Sequence, residues 1–210
     1  MRKIRSLLLF QLILYAGCTR YIAPEPHPHS YYLNSAKDIK QIGRVALVEL
    51  KNDSAVYRIS SSMTESLFQE LEKKQIFGLT KVRQDNPVWR SLQLNVGESF
   101  TLEEIARIRK TLKSDAVLVG TITGFEPYPH MAIGLRLQLI DLSDGQLIWA
   151  MEQVWDTTDK ATRNRIETYY NPRRLILNNE NLSGQLGSIS TLKFLKFVAS
   201  EIAQTLWVNE

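Results

Sequence analysis

The chain has 210 residues, 44% hydrophobic and 23% charged, a balance typical of a globular domain and not of a disordered chain. Its formal net charge is +4, but Arg2, Lys3 and Arg5 carry three of these charges, so the remainder of the chain is nearly neutral. A nearly neutral domain argues against general nucleic-acid binding. The single cysteine, Cys18, excludes an internal disulfide.

Residues 1–17 have the pattern of a secretory signal peptide. The basic start is followed by the apolar run Leu7–Ala16, which is interrupted only by Gln11. As a helix this run spans about 15 Å, half of a hydrocarbon core about 30 Å thick, so it is too short for a stable membrane span. The small residues before Cys18 are typical of a cleavage site. An ordinary signal peptide followed by an incidental cysteine is the alternative interpretation.

The stretch Tyr15-Ala16-Gly17-Cys18 resembles the lipobox of bacterial lipoproteins. The resemblance implies cleavage after Gly17 and acylation of Cys18 with several chains, palmitate among them. More than one acyl chain is needed for a stable membrane anchor, because each buried CH2 contributes only about 0.8 kcal/mol. Thr19, not an aspartate, follows the cysteine, and by the same resemblance this implies the outer membrane, with the domain facing the periplasm.

Residues 18–43 are predicted to form a tether. Prolines at 24, 26 and 28 favour an extended and semi-rigid chain. The tether also contains His27 and His29, but metal sites need three or four ligands and no others are close in the sequence. We therefore predict no metal site and expect a single folded domain over residues 44–210.

The first half of this domain begins with an apolar and β-branched stretch at residues 44–50, which predicts a central strand. Apolar residues then recur at helical spacing from Val56 to Leu71, which predicts a helix. Asp53 or Ser54 is the expected N-cap of this helix, and Gly78 is the expected stop signal.

The middle of the domain continues with a short edge strand at residues 79–83 and an irregular loop at residues 85–100. Thr101 and Glu104 have the spacing of a capping box, which predicts the start of a second helix. Residues 115–125 are apolar enough to form a strand that is buried on both faces.

The last elements are a β-hairpin and a closing helix. Residues 134–142 alternate between apolar and polar side chains, a Ser-Asp-Gly turn follows, and residues 146–155 return. A stripe from Leu195 to Leu206 predicts the final helix. The element order β-α-β-α-β-β-β-α predicts an α/β fold, a single domain whose mixed β-sheet has helices packed on it.

This order carries a family resemblance over about residues 44–155. Asp115, Gly120, Asp141, Gly145 and Trp149 stand at the places that match a group of bacterial envelope lipoproteins. The chain resembles the group that includes CsgG, LpoB, FlgO and the amino-terminal domain of TolB. The resemblance implies a lipid-anchored, non-enzymatic envelope protein that docks onto a periplasmic or outer-membrane partner in an assembly or activator role, as LpoB does.

The alternative within this group is a subunit of an oligomeric outer-membrane secretion channel, or a flagellar or curli-type assembly lipoprotein. A channel needs membrane-crossing strands of about ten alternating residues. The sequence offers no pair of such strands beyond the hairpin of the domain itself, so docking is the preferred function.

Enzymatic chemistry is not predicted. His130 follows Pro129 in a strand connection and has no carboxylate or nucleophile near it in the sequence. Gly120 and Gly124 lack the lysine of a phosphate-binding loop, and glycines within a strand instead permit close approach of backbones. We therefore predict no enzyme activity and no cofactor.

A basic stretch at residues 160–174 is the remaining candidate site. It carries five cations against Glu167, a local net charge of +4, together with two tyrosines. Arginine and tyrosine are enriched at the centres of interfaces. The stretch is either a solvated loop or a docking surface for an acidic protein face, a lipid head group or an anionic cell-wall polymer. The residues of this candidate surface are Arg163, Arg165, Tyr169, Tyr170, Arg173 and Arg174.

Overall fold

A mixed seven-stranded β-sheet forms the centre of the computed structural model, which describes residues 30–92, 100–171 and 189–206. Its strands are β1 (Tyr31–Leu33), β2 (Arg44–Val48), β3 (Lys51–Asn52), β4 (Gly78–Val82), β5 (Ala116–Glu126), β6 (Ala132–Asp141) and β7 (Leu147–Asp156). The helices in the described residues are α1 (Ile59–Lys74), α2 (Pro87–Arg90), α3 (Leu102–Leu112), α4 (Lys160–Tyr170) and α5 (Thr191–Leu206).

The strand order is β1-β7-β6-β5-β2-β4, and β3 also pairs with β5. Strands β2, β4, β3 and β5 pair in parallel, whereas β5, β6, β7 and β1 pair antiparallel. The predicted α/β fold with one mixed sheet is thereby confirmed. The structure also confirms three finer predictions, namely the central position of β2, the edge position of β4 and the β6–β7 hairpin.

Helices pack on both faces of this sheet. Val45 and Leu47 of β2 face a large core formed with α1 and α5, while Ala46 and Val48 face a smaller core formed with α2 and α3. This alternation follows from the two-residue period of a strand. All four side chains are fully buried, which explains why the stretch reads as a continuous apolar run.

The sheet begins earlier than the sequence predicted. Tyr31–Leu33 pairs with β7, the Asn34 amide donates to the Ile148 carbonyl over 2.8 Å, and Ile39 is only 8% exposed. The predicted extent of the tether, residues 18–43, is therefore wrong at its end, because its last part is folded. A strand of three residues is too short for its periodicity to be recognised. The signal peptide, Gly17 and Cys18 lie outside the described residues.

The start of α1 also differs from the prediction. Neither Asp53 nor Ser54 caps it, because the helix begins only at Ile59, after Arg58 in the left-handed region at φ 74°. The Asn52 side chain instead organises a loop. Its Oδ1 accepts from the Ser54 amide over 2.9 Å and from the Ser54 hydroxyl over 2.6 Å. A local side-chain bond thus competes with helix formation.

The predicted stop signal of α1 is wrong, whereas the predicted capping box of α3 is confirmed. Helix α1 ends at Lys74 with Gln75 in the left-handed region at φ 51°, and Gly78 opens β4 and does not stop the helix. The capping box of α3 is present, with the Thr101 amide donating to Glu104 Oε2 over 2.8 Å. These hydrogen bonds from Thr101 hold the pKa of Glu104 below its ordinary value.

Lys37 joins the segment after β1 to the β6–β7 turn. Its ammonium lies 2.8 Å from Asp141 Oδ2 and 2.6 Å from Asp144 Oδ2. Partial burial raises the pKa of Asp141, but hydrogen bonds from Lys37 and Ser143 outweigh it, so that pKa lies below its ordinary value. The hydrogen bond from Lys37 also lowers the pKa of Asp144.

Replacing Lys37 with methionine is expected to lower the unfolding temperature by about 2 to 4 °C at neutral pH. Carboxylates whose pKa is lowered by folding stabilise the protein above their unfolded pKa of about 3.9, and this stabilisation is lost as pH falls through the folded pKa. The deficit of Lys37→Met should therefore shrink at pH values below about 4. Thermal unfolding of both proteins at neutral and acidic pH measures it, with the exposed Lys40→Met as control. An equal deficit at both pH values would contradict this account.

Candidate functional site

The basic stretch begins as a regular helix. Asp159 is the N-cap of α4, and its carboxylate accepts from the Thr162 amide over 2.9 Å and from the Ala161 amide over 3.2 Å. The Thr162 hydroxyl also donates to it over 2.8 Å. These bonds, led by the one from the Thr162 backbone, hold the pKa of Asp159 below its ordinary value. The positions of the side chains on α4 are thus set by helix geometry and not by a free loop.

Two arginines of the candidate surface bind the domain itself. Arg163 donates through one Nη1 to the carbonyls of Thr157 and Thr158, over 3.0 and 2.8 Å. Arg165 donates through Nε to Glu201 Oε1 over 2.8 Å and reaches the Thr162 hydroxyl at 3.4 Å. Both guanidinium groups therefore hold α4 against its neighbours.

Glu201 explains why Arg165 is needed there. Its residue exposure on α5 is only 8%, and its second oxygen accepts from Trp155 Nε1 over 2.6 Å. A buried carboxylate is costly unless it is both paired and hydrogen-bonded. The Trp155–Glu201–Arg165 network satisfies both requirements and connects β7, α5 and α4.

The two tyrosines of the stretch are partly buried and pack against the core of the domain. The Tyr169 ring lies edge-on to the rings of Tyr170 and Phe197, at centroid distances of 4.7 and 5.9 Å. The Tyr170 hydroxyl donates to the Lys193 carbonyl over 2.7 Å. Burial raises the pKa of Tyr170 to about 12. These contacts fix the end of α4 against α5.

Four of the six candidate residues thus have partners within the domain, namely Arg163, Arg165, Tyr169 and Tyr170. The remaining two, Arg173 and Arg174, lie outside the described residues. A docking role for the six stays a prediction. Residue type alone did not distinguish docking onto a partner from contacts within the domain. Arginine and tyrosine form internal ion pairs and ring contacts as well as interfaces.

A different surface lies at one end of the sheet, where three connections between elements are found. Strand β3 runs parallel to β5, and the Asp53 amide that follows it donates to the Ile122 carbonyl over 3.0 Å. At the same end β5 turns into β6 and β7 leads into α4, with the Thr157 amide donating to the Met131 carbonyl over 2.9 Å. The Thr157–Met131 bond brings residues 127–131 and 157–159 together, and residues 53–58 follow β3 at the same end of the sheet.

This end presents large exposed side chains, which we call the distal surface: Tyr57, Tyr128 and Val154. Tyr57 is 88% exposed and Tyr128 is 84% exposed, and Val154 lies on β7 near the same end. No single segment of the sequence indicated this surface, because its residues come from two connections and from β7. The signal available in the sequence was the occurrence of a tyrosine in both of those connections.

Of the three histidines considered in the sequence, His27 and His29 lie outside the described residues. His130 is exposed in the connection between β5 and β6. Within residues 30–92, 100–171 and 189–206, no group of three or more His, Cys, Asp and Glu side chains could hold a metal ion. In the same ranges no helix is long and apolar enough to cross a membrane.

Similarity to known proteins is found at the level of solved structures. No protein-family model and no curated protein matches the chain. PelC from Paraburkholderia phytofirmans, solved as a dodecamer, superposes with a TM-score of 0.52 at 13% identity, covering 86% of this chain and 97% of PelC. At that identity the similarity concerns the fold alone.

Two further solved structures are similar at lower TM-scores. The LpoB C-terminal domain from Salmonella enterica has 24% identity and a TM-score of 0.40, covering 54% of this chain and 82% of that domain. The lipoprotein GNA1162 from Neisseria meningitidis has 12% identity and a TM-score of 0.46, covering 65% of this chain and 99% of GNA1162. LpoB, one member of the group that the sequence resembles, is thus among the similar structures, while membership of that group, CsgG, FlgO and TolB included, stays a prediction.

Proposed function

We propose that this protein is a lipid-anchored, non-enzymatic protein of the bacterial cell envelope that docks onto a periplasmic or outer-membrane partner through the distal surface. The observation that carries the proposal is the presence of Tyr57 and Tyr128, both more than 80% exposed, at the same end of the sheet. Tyrosine is enriched among the residues that dominate binding energy, because it offers a large apolar ring together with a hydroxyl.

The loop that carries Tyr57 is preorganised for binding. Asn52 Nδ2 donates to the Val56 carbonyl over 2.9 Å, while Asn52 Oδ1 accepts from both the amide and the hydroxyl of Ser54. A loop that is ordered before contact loses less conformational entropy on binding. The backbone next to Tyr57 is therefore already ordered, so that its side chain can bind in a pocket of the partner at a lower entropic cost.

Docking is tested by placing a photo-crosslinking amino acid at Tyr128 in intact cells. We expect one defined adduct with an envelope protein. Tyr57→Ser should reduce its yield about thirtyfold, since central tyrosines of interfaces contribute about 2 kcal/mol or more. Leu192, which is exposed at the start of α5, provides the matched control position. The same adduct from position 192, or an unchanged yield with Tyr57→Ser, would contradict docking at this surface.

The anchor is tested independently at Cys18. We expect mass spectrometry of the mature protein to find an acylated Cys18 as the first residue, because the basic start, short apolar run and sole cysteine agree with processing of a lipoprotein. Cys18→Ser should release the protein from the membrane fraction, since the acyl chains supply the hold on the bilayer. An unmodified Cys18, or a mature chain that starts elsewhere, would remove the anchor from the proposal.

A subunit of an oligomeric envelope assembly is the second candidate function. The fold similarity to PelC, which was solved as a dodecamer, supports it. Light scattering of the detergent-solubilised protein distinguishes the candidates, because a ring has several times the mass of one chain. A monomer at micromolar concentration would exclude the ring. A ring whose Tyr128 adduct contains a second copy of this chain would favour assembly over docking onto another protein.

A further inference from the structure

Helix α3 and the residue after it carry a net positive charge on the exposed side. Four exposed cations lie on or directly after it: Arg107, Arg109, Lys110 and Lys113. Every ion pair between described residues involves other side chains. Glu103 and Glu104 lie in the first turn, where the capping box engages Glu104. Arg107 acts electrostatically on Glu104, so four exposed cations stand against two glutamates and leave a local net charge of +2. In a domain with little net charge, this excess indicates a surface for anions.

A groove lined by both aliphatic and polar side chains runs beside these cations, between α3 and the β6–β7 turn. Its volume is about 470 Å³, and we call it the basic groove: Leu102, Ala106, Arg109, Lys110, Leu142 and Asp144. Leu102 is 73% exposed, so the groove combines an accessible aliphatic side chain with a cationic rim. The one carboxylate in the lining, that of Asp144, is already neutralised by Lys37 at 2.6 Å. The groove thus has the chemistry of a site for an amphipathic anion.

The predicted anchor can bring this groove to a membrane. The Lys37–Asp144 contact places the chain after β1 at the groove wall, and only seven residues separate Lys37 from Ser30, a distance of at most about 25 Å along the chain. Residues 19–29 connect Ser30 to Cys18 and span at most about 40 Å. A lipid on Cys18 would therefore hold the groove within reach of the bilayer surface.

We infer that the basic groove binds anionic phospholipid head groups, with Leu102 entering the boundary between head groups and acyl chains. Each cation near an anionic surface raises the binding constant about fivefold, and an exposed leucine adds apolar contact. The location of the membrane rests on the anchor in the proposed function. Because the groove adjoins the β6–β7 turn, it lies at the opposite end of the strands from the distal surface, which is left free to face a partner.

The test uses the mature protein isolated from membranes, with Ala106→Cys carrying an environment-sensitive fluorophore. The protein is reconstituted into vesicles of phosphatidylethanolamine with or without phosphatidylglycerol. We expect a blue shift, and quenching by brominated lipids, only when phosphatidylglycerol is present, and both effects should be reversed by high salt. The same fluorophore at Ser62→Cys, on α1 across the sheet, should report no contact.

Charge variants separate specific contact from general attraction. Replacing Arg107, Arg109, Lys110 and Lys113 with glutamine should reduce the fraction of protein in contact at least tenfold. The matched control replaces the exposed cations Lys40, Lys51 and Lys160, together with Lys196, by glutamine and should retain the contact. A signal at position 106 that is independent of phosphatidylglycerol, or equal in both variants, overturns the inference.

Failure of the anchor and failure of the groove give different results in the same vesicles. Protein that floats with phosphatidylethanolamine vesicles but shows no contact at position 106 in either lipid is anchored and lacks the groove interaction. The ligand of the groove would then be an acidic protein segment and not a phospholipid, which overturns the inference. Protein that floats only with phosphatidylglycerol vesicles and shows the contact lacks the anchor but supports the groove. Protein that floats with neither contradicts both proposals.

Discussion

Replacing Gly120 with alanine is expected to lower the free energy of unfolding by about 3 kcal/mol, and the unfolding temperature by about 6 to 12 °C. Gly120 pairs with Leu137 at the centre of the β5–β6 ladder. A Cβ atom at position 120 would lie 2.5 Å from the Arg136 carbonyl oxygen and 3.2 Å from the Leu137 Cα, besides meeting the Leu137 side chain. Two of these neighbours are backbone atoms, so relief requires the paired strands to separate.

Gly124 provides the matched control for this substitution. It lies in the same strand, and a Cβ atom there meets nothing within 4 Å. Gly124→Ala is therefore expected to be neutral, or to stabilise the fold by about 0.5 kcal/mol through the lower entropy of the unfolded chain. Urea unfolding of both variants measures the difference. Similar losses at the two positions would show that close approach of the β6 backbone is not what requires a glycine at position 120.

The second large effect is expected at Arg165. Arg165→Met should lower the free energy of unfolding by about 2 kcal/mol, because it removes the cation that compensates the buried carboxylate of Glu201. This loss in the free energy of unfolding is smaller than that for a fully buried ion pair, because the Arg165 side chain is 25% exposed. Chemical denaturation at neutral pH measures the loss, with the exposed Arg90→Met as control.

A double substitution shows whether the charge of Glu201 is the cause. Glu201→Gln keeps a hydrogen-bond acceptor for Trp155 while it removes the buried charge. Arg165→Met combined with Glu201→Gln should therefore be about 1 kcal/mol more stable than Arg165→Met alone. If the double variant is less stable than the single one, charge compensation does not explain the role of Arg165.

These expectations change how the basic stretch is tested for docking. Replacing all four arginines of the stretch at once would combine a loss of stability with any loss of binding, because Arg163 and Arg165 bind the domain. Arg173→Ser with Arg174→Ser is the cleaner test of docking. If these two arginines serve docking and not packing, the double substitution should leave the unfolding temperature unchanged within about 2 °C.

The sequence by itself determined the elements whose signals are local. The β6–β7 hairpin follows from alternation around a glycine turn, and α3 follows from its capping box and apolar stripe. The order of strands and helices then limits the fold to a mixed sheet covered by helices. Each of these signals lies within a few residues along the chain, so it can be recognised without knowing the partners of the segment.

Only the tertiary structure decided which distant residues meet. The addition of Tyr31–Leu33 to β7 depends on pairing with a strand more than a hundred residues away. The pairs Arg165–Glu201 and Lys37–Asp141 are separated by 36 and 104 residues, so residue type indicated a charge at each position but not its partner. The distal surface and the basic groove are also assembled from segments that are separate in the sequence. Packing, which the local pattern does not encode, determines which charges are neutralised and which remain free for a partner or a membrane.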